Sequence, residues 1–180
     1  IVEGDDDYRI WSQVPRHHNV SFAVIPSEGE KIKKYQQVLE TIFCSLRSDE
    51  HAPAGYALLD SDKGLPMENP NHTQRHVRFI RLACHESENL YLTDEVLSSF
   101  RTNWSAAIET VEAEAAKGRG GQKAPQLAGI GKWDRKTADV KDVINELSEI
   151  LDPKKLLWTI RVGKAIGANR PSGQLLEFLS

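Results

Sequence analysis

The chain opens with IVEGDDDYRIW, residues 1–11, in which two β-branched apolar residues lead directly into a run of carboxylates. Such apolar residues favour a strand, whereas Gly4 and the aspartates after it favour a turn and the start of a helix. The apolar spacing that follows predicts a helix from Asp7 to Val14, which Pro15 breaks. The carboxylates are therefore either a solvated helix cap or part of a metal site that needs partners elsewhere.

Three more apolar runs are typical of buried strands, at 20–25, 55–59 and 77–82. Helical periodicity lies between and after them, over 27–46 with Ser27 as the cap, over 94–100, over 104–117, and over 137–151 with Thr137 as the cap. Strands that alternate with helices imply βαβ units. We therefore expect an α/β fold: a mostly parallel sheet flanked by helices, with a helical C-terminal part.

Composition places the chain among ordinary globular proteins, with 39% hydrophobic and 27% charged residues over a length of 180. No apolar run approaches the roughly 18 residues that a membrane span needs, and no signal peptide is visible, so we expect a cytoplasmic protein with no membrane partner. Cys44 and Cys84 give no sign of a disulfide framework. Because residue 1 is an Ile inside a predicted strand, we expect the chain to be an excerpt of a longer protein.

Charge is unevenly distributed along a chain whose formal net charge is −3. Residues 117–136 hold six Lys or Arg against one Asp, and residues 152–180 hold five against two acids. The overall charge disfavours a simple nucleic-acid binder, but the late basic segments leave phosphate contacts open. Within them, the glycine-rich stretch 118–121 is either a surface loop or an arm that grips the phosphate backbone.

Acidic residues follow three of the predicted strands at the point where each strand ends. Glu3 follows the first strand, Asp60 and Asp62 follow the third, and Glu86 and Glu88 follow the fourth. The carboxyl ends of parallel strands meet at one edge of a sheet, so these groups should converge there. Converging carboxylates repel one another unless a cation joins them, and oxygen ligands without a His or Cys set favour Mg²⁺ or Mn²⁺ over zinc.

With these residues in place, the chain resembles a Toprim domain, the metal-binding fold of topoisomerases, bacterial primases and nucleases of the OLD (overcoming lysogenization defect) family. The resemblance rests on VEG at 2–4, Asp7, and LDSD at 59–62, while CHESENLYL at 84–92 is similar to the third acidic stretch of OLD-like members. It implies a Rossmannoid, Toprim-like catalytic core over residues 1–95. Residues 96–180 would then form the helical insert and C-terminal part that complete the domain.

Two features favour the OLD-like group within Toprim proteins. Asp7 beside Glu3 is similar to the nuclease pattern, and Lys164 in the sequence TIRVGK looks like the late basic residue of that group. Arg161 or Lys155 could serve in place of Lys164.

The resemblance implies a divalent-metal-dependent nuclease that hydrolyses DNA phosphodiester bonds with two Mg²⁺ or Mn²⁺ ions. The implied metal ligands are Glu3, Asp7, Asp60, Asp62, Glu86 and Glu88, and the implied catalytic residues are Glu3, Asp60 and Lys164. The membership of Glu86 stays open, and Glu3 is either a ligand or the base for the attacking water. Lys164 would offset the negative charge that develops on the scissile phosphate.

OLD-like Toprim domains commonly accompany an ABC-type ATPase in phage-defence systems, so the resemblance implies such a partner upstream or on another chain. A tRNA-cleaving or other RNA-cleaving nuclease is the first alternative, because one sequence does not fix the choice of nucleic acid. The second alternative is a non-catalytic module that binds nucleic acid or a partner protein. A double-strand cutter needs two sites, which makes a homodimer plausible.

Overall fold

Two parallel strands form the sheet of this protein, with β1 spanning Gly55–Leu59 and β2 spanning Val77–Arg81. They pair in register from Gly55 opposite Val77 to Leu59 opposite Arg81. The structure, a computed structural model, describes residues 1–17, 21–46, 54–61, 76–168 and 172–180. It confirms the mixed α/β class, with a small parallel sheet flanked by helices.

Two shorter extended segments continue the sheet beyond β1. The carbonyl of Ile1 accepts a hydrogen bond from Leu58 N (2.9 Å), and Val2 N donates to the carbonyl of Ile25 (3.0 Å). Val2 and Pro26 form an isolated parallel bridge. Across the sheet the segments therefore lie in the order 25–26, 1–2, β1 and β2. The segments 25–26 and 1–2 are too short to form regular strands.

Helix α1 (Asp5–Trp11) and helix α2 (Val14–His17) follow the acidic turn, and both pack on helix α8 (Trp158–Ala168). Helix α3 (Ile32–Leu46) lies against β2. There Gln36 Nε2 donates to the carbonyl of Val77 (2.7 Å), and Glu40 Oε2 accepts from Val77 N (2.6 Å). These two side chains take the place of a strand partner at the start of β2.

The rest of the chain is mainly helical. The remaining helices are α4 (Asp94–Ser98), α5 (Trp104–Ala116), α6 (Ala124–Leu127), α7 (Ile144–Leu151) and α9 (Gly173–Leu179), and 3₁₀ turns span Gly29–Lys31, Ser87–Leu92, Gly121–Lys123 and Ile130–Lys132. One apolar core joins residues of the sheet edge, such as Val2, to residues of the last helix, such as Phe178. None of the helices in the described ranges has the length and apolar character to cross a membrane.

Several predicted helix boundaries are wrong. Ser27 does not cap α3, because its N–H and its hydroxyl both donate to the carbonyl of Val2 (2.9 and 2.8 Å), and α3 begins five residues later. The first helix begins at Asp5 rather than Asp7 and ends at Trp11. The helix predicted from Thr137 begins only at Ile144, because a turn precedes it.

Candidate metal centre

The hydroxyl of Ser87 brings together carboxyl groups from two different segments. Ser87 is 2% exposed and donates a short hydrogen bond to Asp7 Oδ1, and its Oγ lies 3.5 Å from Asp60 Oδ1. Asp7 follows the N-terminal segment of the sheet, Asp60 follows β1, and Ser87 follows β2. The carboxyl ends of three adjacent parallel segments therefore converge on this hydroxyl.

The acidic turn after β2 is buried rather than solvated. Glu86 and Glu88 are each 6% exposed, on either side of Ser87. The side chain of Asn89 accepts a hydrogen bond from Glu86 N (3.0 Å) and so closes the turn. His85 Nε2 lies 3.7 Å from Glu86 Oε1.

This burial changes the acid–base properties of the site. Desolvation raises the pKa of Glu88 to about 7, and the negative charges of Glu86 and Asp7 act in the same direction. Desolvation also raises the pKa of Asp7 above its ordinary value, although the hydrogen bond from Ser87 and the charge of Lys141 lower it. A bound divalent cation would reverse this penalty, because it stabilises the ionised carboxylates.

Glu3 and Asp62 are the remaining predicted ligands. Glu3 is half-buried, and its carbonyl accepts a hydrogen bond from Gly29 N (2.6 Å). Asp62 lies outside the described residues, so its part in the site stays a prediction.

Lys141 is a basic residue whose charge acts on the carboxyls of this site, while Arg81 Nη1 donates to the carbonyl of Asp60 (2.8 Å) at the same edge. Lys141 is exposed, and its charge acts on both Asp7 and Glu88. Lys164, the basic residue expected from the resemblance, is exposed on α8 and is not among the main charges that act on these two groups. Lys141 and Ser87 are not among the residues that the sequence pattern predicts. Only Ser87 had a signal, since it separates the two glutamates of the acidic turn.

Arg161, the alternative to Lys164, is bound elsewhere. Its Nε and Nη2 atoms each lie 2.6 Å from an oxygen of Asp152. Arg161 is 8% exposed and Asp152 is 1% exposed. A guanidinium held in such a buried bidentate pair is not available for a phosphate.

Cys84 lies beside the acidic turn, and its thiol donates to the carbonyl of Glu86 (3.2 Å). Burial, together with the nearby charge of Asp60, raises the pKa of this thiol to about 12. In the absence of a metal ion this thiol is protonated at neutral pH and is a poor nucleophile.

The oxygen donors around Ser87 fit a hard divalent cation in kind, since carboxylates and a hydroxyl are the groups that Mg²⁺ and Mn²⁺ prefer. Across the described ranges, however, no group of three or more His, Cys, Asp or Glu side chains is arranged to hold an ion. The carboxyl of Asp7 is instead turned towards Ser87 and Gly4 N (3.2 Å). Each oxygen of this carboxylate keeps a second lone pair, so a cation can bind Asp7 beside these hydrogen bonds.

The basic segment 117–136 is largely neutralised by acids. The ion pairs are Lys117 and Arg119 with Glu114, Lys123 with Asp142, Arg135 with Asp94, and Lys136 with Glu177. The glycines at 118, 120 and 121 adopt positive φ angles, and Arg119 N donates to the carbonyl of Glu114 (3.0 Å), so this stretch forms a defined turn. These pairs reduce the charge that the segment offers to a phosphate backbone.

No protein-family model matches this chain, and neither does a curated protein or a solved structure.

Proposed function

We propose that this chain is a divalent-metal-dependent nuclease that hydrolyses phosphodiester bonds of DNA at the edge formed by Asp7, Asp60 and the acidic turn 86–88. The observation that carries the proposal is the Ser87 hydroxyl, which is bonded to Asp7 and lies 3.5 Å from Asp60. Carboxyls from separate segments that converge on one buried point are costly without a cation. That cost is a reason to expect a bound ion in the working protein.

Asp7, Asp60 and Glu88 would hold the ions, with Glu3, Asp62 and Glu86 as the further candidates from the sequence. Bound Mg²⁺ or Mn²⁺ would supply positive charge to the attacking and leaving oxygens of an in-line displacement. Glu88, with a pKa of about 7, carries a proton on its carboxyl for part of the time near neutral pH and must release it when an ion binds. Lys141 would draw the phosphate towards this edge.

The finer assignment is a Rossmannoid Toprim domain of the OLD-like kind. The resemblance of the motifs at 2–4, 59–62 and 84–92 supports it, as does the order of the four parallel segments across the sheet. That assignment implies an ABC-type ATPase partner, either upstream or on another chain, and a role in phage defence. It also implies a possible homodimer. Cleavage of tRNA remains the alternative for the substrate.

The test is cleavage of supercoiled plasmid and of total tRNA by the purified protein in EDTA, Mg²⁺ or Mn²⁺. We expect metal-dependent nicking that Asp60→Ala abolishes. Glu109→Ala is the matched control, because Glu109 is an exposed acid on α5, and it should cut at the normal rate. Cleavage that survives EDTA, or that Asp60→Ala leaves intact, would contradict the proposal.

A non-catalytic binding module is the second candidate. It is favoured by the absence, in the described part of the chain, of a group of three acids arranged for an ion. Titration calorimetry separates the two candidates: binding of Mn²⁺ that Asp60→Ala weakens supports the nuclease. A wild-type protein that neither binds Mn²⁺ nor cuts would support the module.

A further inference from the structure

We propose that Asn89 is a positioning residue, which holds the acidic turn 86–88 against the segment that carries Lys141. The proposal rests on the proposed function for its chemical meaning, but the placement itself rests on contacts. Asn89 is fully buried, and its side-chain amide makes three hydrogen bonds. Its Oδ1 accepts from Glu86 N (3.0 Å), and its Nδ2 donates to the carbonyls of Arg135 (2.9 Å) and Ala138 (2.8 Å).

These bonds join two parts of the chain that no regular secondary structure connects. The acceptor side fixes the turn in which Glu86, Ser87 and Glu88 lie. The donor side fixes the irregular segment 134–143, which reaches Lys141 just after the buried Val140. Asn89 therefore joins the turn that carries the carboxyls to the segment that carries Lys141.

Further hydrogen bonds join the start of this segment to the acidic region, and its later part carries the ion pair of Asp142 with Lys123 (3.3 Å). Arg135 Nη1 donates to the carbonyl of Leu92 (3.1 Å), and the carbonyl of Lys136 accepts from His85 N (2.8 Å). Of the hydrogen bonds named here between the acidic region and this segment, the bond from Asn89 to Ala138 lies nearest to Lys141 in sequence. Loss of Asn89 should therefore release Lys141 more than it releases residues 135 and 136.

The chemistry of this position requires an amide. An acceptor must face the N–H of Glu86 while two donors face carbonyl oxygens, and asparagine supplies both kinds of atom. Aspartate would keep the acceptor but place an oxygen against the carbonyls of Arg135 and Ala138. Asn89→Asp thus breaks the tie to the Lys141 segment and leaves the bond to the acidic turn in place.

The test is the rate at which acetic anhydride, in trace amounts, acetylates Lys141 in the metal-free protein, measured by mass spectrometry relative to Lys164 in the same sample. An ammonium held by carboxylates reacts slowly, so Asn89→Ala should raise the relative rate by about twofold or more. Asn89→Asp should raise it as well, and it serves if Asn89→Ala does not fold. An unchanged rate in a folded Asn89 variant would overturn the proposal.

The matched control is Asn103→Ala. Asn103 caps α5 by accepting a hydrogen bond from Ala106 N (3.0 Å), so its loss costs stability without touching the Lys141 segment. The relative acetylation rate of Lys141 should stay at the wild-type value in this variant. A rise equal to that of Asn89→Ala would show a general loosening and would also overturn the proposal.

A double-mutant cycle on Mn²⁺ affinity links the placement to the proposed function. Lys141→Ala should change the affinity of the wild-type protein, and the same change should have no further effect in Asn89→Ala. Additive effects would contradict the positioning role. A wild-type protein that binds no Mn²⁺ would overturn the proposed function alone, because the acetylation rates are measured without metal.

Discussion

The guanidinium of Arg161 donates hydrogen bonds to both carboxylate oxygens of Asp152, with Nε 2.6 Å from Oδ2 and Nη2 2.6 Å from Oδ1. Asp152 ends α7 and Arg161 lies in α8, so the pair joins two helices of the C-terminal part. The backbone N–H groups of Lys154 (2.9 Å) and Leu156 (3.3 Å) also donate hydrogen bonds to this carboxylate. The pair is therefore a structural element of the helical part rather than a reserve of positive charge for the site.

Asp152→Ala should destabilise the protein by about 3 kcal/mol, because it leaves the charge of Arg161 buried without a partner. Burial opposes ionisation of Asp152, but the bonds from Arg161 and the backbone outweigh it and lower the pKa. The stabilisation is then complete above the ordinary pKa of an aspartate and is lost as the pH falls below it. Urea unfolding at pH 7 and at lower pH measures both effects.

Asp142→Ala is the control for this prediction. Asp142 pairs with Lys123 at 3.3 Å, but its side chain is 77% exposed, so the change should stay below about 0.5 kcal/mol. Equal losses from the two variants would contradict the special role of the buried pair.

Glu88→Gln should stabilise the metal-free protein, and more so at pH 8 than at pH 5. The pKa of Glu88 is raised to about 7, so the folded state binds more protons than the unfolded state between the ordinary pKa and this value, and stability falls as the pH rises through that window. Glu88→Gln removes the ionisable carboxyl and therefore this decrease in the free energy of unfolding, which we expect to be about 2 kcal/mol. Thermal unfolding over this pH range measures it.

The matched control is Glu109→Gln on the exposed face of α5, which should leave the pH dependence of the melting temperature unchanged. In the wild-type protein, the affinity for Mn²⁺ should also fall below pH 7, because protons compete for Glu88. A melting temperature whose pH dependence is the same with and without Glu88 would refute the assignment.

Gly163→Ala should destabilise the packing of α8 on α1. A Cβ at residue 163 would overlap the carbonyl oxygen of Ile10 and lie 2.7 Å from the Cβ of Gln13. Because the first obstacle is backbone, the helices must separate, and we expect a loss of about 2 kcal/mol in the free energy of unfolding. Gly55→Ala is the control, since no atom lies within 4 Å of the added carbon there. Similar losses from both variants would show that the close helix contact is not the cause.

Sequence patterns could predict the acidic edge because one rule governs it. Side chains that follow adjacent parallel strands must meet, which predicts one shared edge for Glu3, Asp60 and the turn 86–88. Asp7, which the Toprim resemblance implied, meets Asp60 there at Ser87. The boundary of α3 was missed because Ser27 bonds to Val2, a residue 25 positions away, and this tertiary bond overrides its local preference for a helix cap.

Lys141 was not predictable for a related reason. Val140 and Val143 continue the apolar spacing of α7, so periodicity assigned them to a helix, yet their backbone is a turn that the structure buries. Asn89 bonds to the carbonyls of Arg135 and Ala138 earlier in the same segment, and the local sequence does not reveal these bonds. A residue placed by such tertiary bonds leaves no periodic signal.

The last prediction sets Lys141 against Lys164. If the electrostatics of the site decide, Lys141→Ala should reduce metal-dependent cleavage by about tenfold, because it removes a positive charge that acts on the site. Lys164→Ala should then reduce it less, because the charge of Lys141 is the one that acts on Asp7 and Glu88. The measurement is the initial rate of plasmid nicking in Mn²⁺ at two salt concentrations, and Lys132→Ala on its 3₁₀ turn is the control for a general loss of positive charge. A larger decrease in the nicking rate from Lys164→Ala would support Lys164 as the basic residue that the resemblance implies. Lys141 would then only offset the negative charge of the carboxyls in the metal-free protein.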